Sequence, residues 1–272
     1  MQTTLSPLTL NPINPISNQP LARAPLRFHR LFKWLIIILL IAASFPLSAI
    51  LAFNGYIAWT LGRPIVESLT SNPLEAVGLP YEDVLFNSIG GRSVLSGWYI
   101  PAKSGISKKT VIFSHGYRGN REEKWVPLYK LSQELHKKKY NVLMFDYGYV
   151  SPDQKRLMTA GALESKELLG AIDFIKNKGA EQIFIWGFSM GAGTALQTAL
   201  HNTDITGMIL DSTFLLEPET LKFTLLQQEI NFFPIPPSAG LVRFFIPLLN
   251  GVSLKSIPYE EVKSTQYTMP IF

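Results

Sequence analysis

A serine with glycine two residues away on either side, Gly187-Phe188-Ser189-Met190-Gly191, constrains this chain more than any other feature. The chain enters it from the apolar run Gln182-Ile183-Phe184-Ile185-Trp186 and leaves through the small residues Ala192-Gly193-Thr194-Ala195. That context reads as strand, tight turn and helix, with Ser189 at the strained turn position and its hydroxyl presented at the strand's end. Side chains at 187 and 191 would collide with the strand and the helix, and glycine, which has no Cβ, removes the collision. The pentad alone arises by chance in about one chain in ten of this length, at ~7% each for Gly and Ser. Its weight therefore comes from its setting and from a second motif, Ser114-His115-Gly116-Tyr117, which follows another apolar run.

The runs Thr110 to Ser114, Val142 to Asp146, Ile183 to Trp186 and Met208 to Asp211 are continuously apolar, as strands buried on both faces are. Between them, Trp125, Leu128, Leu131 and Leu135, and then Leu168, Ile172 and Ile175 within residues 162–178, recur at three or four, giving helices with an apolar stripe. Strand and helix in alternation predict an α/β fold with a mostly parallel sheet. Upstream, Glu82 to Phe86 and Val94 to Ile100 flank the turn signal Gly90-Gly91 and predict an antiparallel hairpin after a Pro- and Asn-containing linker at 64–80. The alternation breaks at 214–256, dense in Leu, Phe and Pro and including Phe232-Phe233-Pro234-Ile235-Pro236-Pro237. That segment is either a cap inserted between strands or a long packed connection.

At 272 residues the chain can hold one large α/β domain and an appendage. Its formal charge of +5 lies in the N-terminus, since residues 1–66 carry Arg23, Arg27, Arg30, Lys33 and Arg63 and no acid. From Glu67 onward 20 basic residues (25 minus 5) face 20 acids, so no nucleic-acid partner is expected. Lys137-Lys138-Lys139 ends a predicted helix, where cations complement the dipole. Between Lys33 and Arg63 there is no charge, and residues 34–54 are long enough to cross ~30 Å of hydrocarbon. The basic flank predicts a single-pass helix with residues 1–33 cytoplasmic and the folded domain extracytoplasmic. A cleaved signal peptide is the competing reading, disfavoured by the length of the apolar run and the lack of an Ala-x-Ala site. Residues 1–22, rich in Pro, Asn, Ser and Thr, are expected to be disordered. The chain has no cysteine, which excludes disulfides, thiolate metal sites and a Cys nucleophile.

Ser189 is the candidate nucleophile, at the carboxyl end of a strand where open α/β sheets place their ligand crevice. Acyl transfer needs two N–H donors for the oxyanion; Met190 is the first candidate and Tyr117, in the earlier strand's loop, the second. His115 reads as a structural residue of that loop. Tyr117, Arg118, Asn120 and Arg121 are either an anion-binding set or an ordinary solvated loop.

In Gly97-Trp98-Tyr99-Ile100-Pro101, Val111 to Tyr117, Asn141 to Tyr147, Gly187 to Gly193 and Ile209-Leu210-Asp211-Ser212, in this order, the chain resembles the α/β-hydrolase superfamily over residues 64–272. Within it, the chain is similar to membrane-anchored bacterial members of the serine aminopeptidase and BEM46-like branches. It departs from them after Asp146-Tyr147, where Gly148-Tyr149-Val150-Ser151-Pro152 replaces their usual arginine and Gly-x-Ser turn. The resemblance implies an esterase- or peptidase-like enzyme that cleaves an ester or amide through an acyl-enzyme, with no metal or organic cofactor.

The superfamily's order is nucleophile, acid, histidine, the last two after the seventh and eighth strands. Here Tyr267-Thr268-Met269-Pro270-Ile271-Phe272 reads as the opening of the seventh strand, so the last strand and helix are expected to be lacking and the chain to be truncated. Of the histidines, His29 stands beside the apolar helix, His136 on the first covering helix, and His201 about 12 residues, ~18 Å, along the helix after Ser189. None is expected to reach Ser189, so the triad histidine is unassigned. Asp211, at the end of the sixth strand, is a candidate acid, or else holds the following loop. The alternative to an enzyme is a non-catalytic hydrolase-like protein that binds a ligand or partner at the membrane. Neither the substrate nor the oligomeric state is legible.

Overall fold

The computed structural model describes residues 26–103, 107–151, 153, 156–201, 204–227 and 236–272. The expected disordered tail and the run from Phe232 to Ile235 lie outside them, and so does the side chain of His29. The chain divides into two compact units, Met1–Ser48 and Ala49–Phe272. The described part of the first is helical. It belongs to helix α1, Leu26–Leu61, whose stretch Arg30–Leu61 contains an 18-residue window of mean hydropathy 2.7 and is a candidate membrane span.

In the second unit the strands are β1 (Glu82–Asn87), β2 (Val94–Ile100), β3 (Lys109–Ser114), β4 (Asn141–Phe145), β5 (Gln182–Phe188) and β6 (Ile205–Asp211). They form one sheet in the order β1-β2-β4-β3-β5-β6. The β1–β2 hairpin and the β2–β4 pair are antiparallel, and the other pairings are parallel. Parallel neighbours need crossovers, which α3 (Leu128–Lys137), α4 (Glu164–Asn177) and α5 (Met190–Ala199) supply. Side chains alternate across a strand, and here both faces are covered. Val111, Phe113, Val142 and Met144 pack with Trp98 and Leu128 of α3. Ile112, Leu143 and Phe145 pack with Leu168, Ile172 and Ile175 of α4 and Ala195 of α5. Covering on both faces is the reason these strands read as unbroken apolar runs.

Two details depart from the sequence reading. The linker contains a short helix, α2 (Pro73–Val77), capped by Asn72, whose side chain accepts from the N–H groups of Leu74 (3.1 Å) and Glu75 (3.0 Å). Helix α3 starts at Leu128 rather than at Trp125, because Glu123 (φ 38°) turns the chain and Pro127 precedes the first helical residue. Trp125 instead lies edge-on to Phe188, 6.1 Å between ring centres. The segment after β6 carries α6 (Pro218–Gln227), α7 (Ala239–Asn250) and α8 (Tyr259–Ser264).

Residues 270–272 then run parallel to β6. The Met208 N–H donates to the Pro270 carbonyl (3.0 Å), and the Leu210 N–H to that of Phe272 (2.9 Å). The expected seventh-strand segment thus occupies the seventh-strand position.

Candidate active site

Ser189 joins β5 to α5 with φ 50° and ψ −116°, a backbone conformation that disfavours any residue with a Cβ. The surroundings hold it there. The Ser189 N–H donates to the Asp211 carbonyl (2.9 Å), and its own carbonyl accepts from Phe214 N–H (3.0 Å) and Gly193 N–H (3.2 Å). A Cβ on Gly191 would stand 2.0 Å from the Ser114 carbonyl oxygen, and one on Gly187 would stand 2.6 Å from Ala192 Cα. The glycines of the pentad are therefore required by backbone packing, as the motif's spacing implies.

The loop after β3 lies against this turn. His115 is buried, and its Nε2 accepts from the Tyr147 N–H (3.1 Å), which leaves the proton on Nδ1 to donate to the Gly116 carbonyl (3.0 Å). Both ring nitrogens are thereby engaged in shaping the loop, the structural part expected for this histidine. The Gly116 N–H donates to the buried Glu123 carboxylate, and the Tyr149 hydroxyl donates to the Gly116 carbonyl (3.1 Å). Through this hydrogen bond the segment after Asp146-Tyr147 supports the loop.

Arg121 turns inward. It forms a buried pair with Asp146 through Nε (2.9 Å) and Nη2 (2.7 Å), and its guanidinium lies 5.0 Å from the Trp98 ring centre. Asn120 is also buried and donates to the Glu67 carbonyl (2.7 Å). Of the four loop residues read as a possible anion-binding set, only Arg118 is exposed and only Tyr117 borders the cavity that Ser189 lines. Among the described residues, neither the Tyr117 N–H nor the Met190 N–H has a protein acceptor.

A cavity of about 280 Å³ opens over Ser189, at the lower edge of the ~300–1,000 Å³ usual for small-molecule sites. Its wall is mostly apolar. Leu61, Met158, Phe214, Leu221, Ile246 and Leu254 contribute from six different segments. The Tyr117 hydroxyl donates to the Leu61 carbonyl (3.2 Å), which ties the loop to the end of α1, and burial pushes the Tyr117 phenol above its usual pKa.

The contribution of α1 to this wall was missed in the sequence, although a signal exists. Gly55, Ala58 and Gly62 recur at three and four within the apolar run, the spacing of small residues that allows another helix close. Helix α7 uses it. Phe245 and Leu249 approach Gly55, Asn250 donates to the Ala58 carbonyl (2.7 Å), and a Cβ on Gly62 would stand 2.7 Å from the Asn250 side chain.

The remaining candidates have other side-chain or chain positions. His136 Nδ1 is 2.8 Å from the Pro101 carbonyl, and His201 follows the far end of α5. Asp211 is exposed, and its carboxylate accepts from Ser212 Oγ (2.8 Å). No group of three or more potential metal ligands occurs among the described residues.

An antiparallel hairpin leading into parallel strands, a strained serine after β5, and a seventh-strand segment beside β6 fix the architecture. The chain has the α/β-hydrolase fold. A family model described as alpha/beta hydrolase fold matches residues 109–234 of the chain. The esterase Pf2001 of Pyrococcus furiosus superposes with a TM-score of 0.56 at 21% identity, covering 79% of this chain and 88% of that one. Est1E from Butyrivibrio proteoclasticus gives 0.50 at 19% identity, covering 70% and 75%. Both likenesses are of fold. In sequence, the chain is 30% identical over 176 residues to the lysophosphatidylserine lipase ABHD12 of Macaca fascicularis and of Bos taurus. That match covers 61% of this chain and 40% of the length of those relatives.

Proposed function

We propose that this chain is a serine hydrolase of the α/β-hydrolase superfamily that cleaves an ester or amide bearing an apolar acyl group. The observation that carries the proposal is a serine held at φ 50° at the floor of an apolar cavity, beside two N–H groups without protein acceptors. Ser189 Oγ attacks the carbonyl carbon, and the Met190 and Tyr117 N–H groups receive the oxyanion. Collapse of the tetrahedral intermediate expels the alcohol or amine, which departs with the proton given up by the Ser189 hydroxyl, and leaves the acyl group on Ser189; water then releases it as the acid and restores the hydroxyl. The apolar wall takes the acyl part. The activity named for the mammalian relatives, a lysophosphatidylserine lipase, supports this choice of substrate class. In this reading α1 anchors the enzyme in a membrane through residues 34–54, with its basic flank cytoplasmic. Residues 214–256 act as the cap, and Asp211 is the candidate acid.

One observation favours a second reading. Of the histidines with described side chains, His115 has both nitrogens engaged and His136 and His201 lie elsewhere, so none is a base for Ser189. A non-catalytic protein that binds an apolar ligand in the same cavity fits that arrangement. A fluorophosphonate probe separates the two. The enzyme reading expects covalent labelling that Ser189→Ala abolishes without lowering the melting temperature. A folded 272-residue chain that binds apolar ligand and stays unlabelled supports the binding protein.

A further inference from the structure

Helix α7 is apolar on both sides. Its inner residues Val242 and Ile246 are buried, and Ile246 and Asn250 line the cavity over Ser189. Its outer residues Phe244 and Leu248, one turn apart, are 61% and 65% exposed. A helix apolar all round is normally covered on all sides, so this outer face lacks a partner.

What lies beside it identifies that partner. Leu249, 38% exposed, approaches Gly55 of α1, and Trp59, 44% exposed, is one turn further along the same face of α1. Arg63 follows one turn later. It donates to Asn250 Oδ1 (2.8 Å), and its guanidinium is 4.9 Å from the centre of the Trp59 ring. Tyr56, also exposed, stacks near Trp59 at 6.4 Å. About 20 helical residues cross the ~30 Å hydrocarbon layer, so a span that starts at Trp34 ends near Phe53. Tyr56, Trp59 and Arg63 then fall at the headgroup level, where Tyr, Trp and basic residues concentrate. The segment of α1 that α7 packs against is this interfacial one, and the outer face of α7 also carries the exposed Arg243. An exposed apolar helix face with an arginine, continuous with an aromatic belt, matches a helix lying in the plane of a lipid surface.

We propose that the outer face of α7, with Tyr56 and Trp59, is embedded in the headgroup region of a lipid bilayer, so that the roof of the Ser189 cavity is itself a membrane-interface helix. This inference rests on reading α1 as a membrane span and is independent of whether Ser189 is catalytic. An apolar ligand dissolved in the leaflet then meets the cavity's roof without first crossing water.

The absence of cysteine from the chain makes the test direct. Single variants Phe244→Cys and Leu248→Cys are labelled with an environment-sensitive nitrobenzoxadiazole dye in the full chain, reconstituted into phosphatidylcholine vesicles. Lys108→Cys, an exposed position beside β3, serves as the water control, and Ile41→Cys, inside the span, as the deep control. The dye at 244 and 248 is expected to emit to the blue of that at 108. It should be quenched more by lipid carrying a spin label near the headgroup than by lipid labelled deep in the acyl chain. At 41 the order of quenching reverses. Dyes at 244 and 248 that behave as at 108 overturn the inference and leave the span intact. Blue-shifted but unquenched dyes also overturn it, since protein and not lipid then covers the face. An unquenched dye at 41 removes the span and the inference together. Probe labelling of Ser189 is scored on the same samples, so either proposal can fail while the other stands.

Discussion

At the glycines of the turn that carries Ser189 there is no room for one more methyl group, whereas on α7, which forms part of the roof of the cavity over that serine, whole side chains stand open. A Cβ on Gly193 would come within 2.1 Å of the Phe214 carbonyl oxygen, while Phe244 is 61% exposed. The difference lies in what specifies each region. The turn that presents the serine is defined by backbone against backbone, and few residue types satisfy it. The inner wall of the roof is defined by apolar contact, which side chains of similar volume satisfy nearly as well. The position of Ser189 is therefore fixed by the rigid region, and the shape of the cavity is left to the permissive one.

The strongest way to break this comparison is Gly191→Ala. With its Cβ only 2.0 Å from the Ser114 carbonyl oxygen, the variant is expected to lose more than ~4 kcal/mol or fail to fold, measured by urea unfolding. A variant as stable as the parent would show that the turn is not fixed by this approach.

Next is Arg121→Met, which leaves the Asp146 carboxylate buried without its cation and is expected to cost ~3–5 kcal/mol. The double variant Arg121→Met, Asp146→Leu should recover most of that loss, because two apolar residues leave no unpaired charge. Recovery of stability without the ion pair would show that packing suffices to hold the loop after β3.

The third test concerns pH. Burial, with Glu164 nearby, raises the pKa of Glu167 from 4.5 to about 7, although Ser93 Oγ (2.7 Å) and the Gly148 N–H (2.9 Å) donate to it. The folded protein therefore binds this proton more tightly than the unfolded chain does. The resulting stabilisation is complete below pH 4.5 and is lost as pH rises through about 7. The fall is on the order of 3 kcal/mol, and Glu167→Gln should flatten it in urea midpoints followed across that range. An unchanged slope in the variant assigns the pH dependence to another group.

The smallest effect is expected on the roof. Phe244→Ser and Leu248→Ser, each on the exposed face, should change the stability of the detergent-solubilised protein by less than ~0.5 kcal/mol. A larger loss would mean that this face is packed.

Much of the fold was legible because its signals are local or periodic. Strand β2 is read at its observed limits, Val94–Ile100, since alternation and the Gly90-Gly91 turn bound it on one side and Pro101 on the other. Helix α2 was legible but passed over. Asn72, Pro73 and Gly78 are a cap, a first-turn proline and a stop, hidden in what reads as linker. The start of α3 was not legible, because Trp125 fits the apolar period and only the turn at Glu123 takes it out of the helix. At the site, Ser189, Met190 and Tyr117 could be nominated from the order of motifs. Distinguishing the inward Arg121 from the exposed Arg118 required knowing where Asp146 lies, 25 residues away in sequence.

The second role of α1 marks the same limit. Hydropathy is alike whether an apolar side chain meets lipid or protein, so the run from Trp34 onward reads as one span. What separates its far end is Asn250 bonded to the Ala58 carbonyl and to Arg63, contacts made across more than 180 residues. The sequence by itself determined the class of the fold, the turn that carries Ser189 and the apolar helix, because each is set by residues adjacent or in regular repeat. Only the tertiary structure decided which segments enclose Ser189, because a cavity wall is assembled from residues distant along the chain and no local preference encodes their meeting.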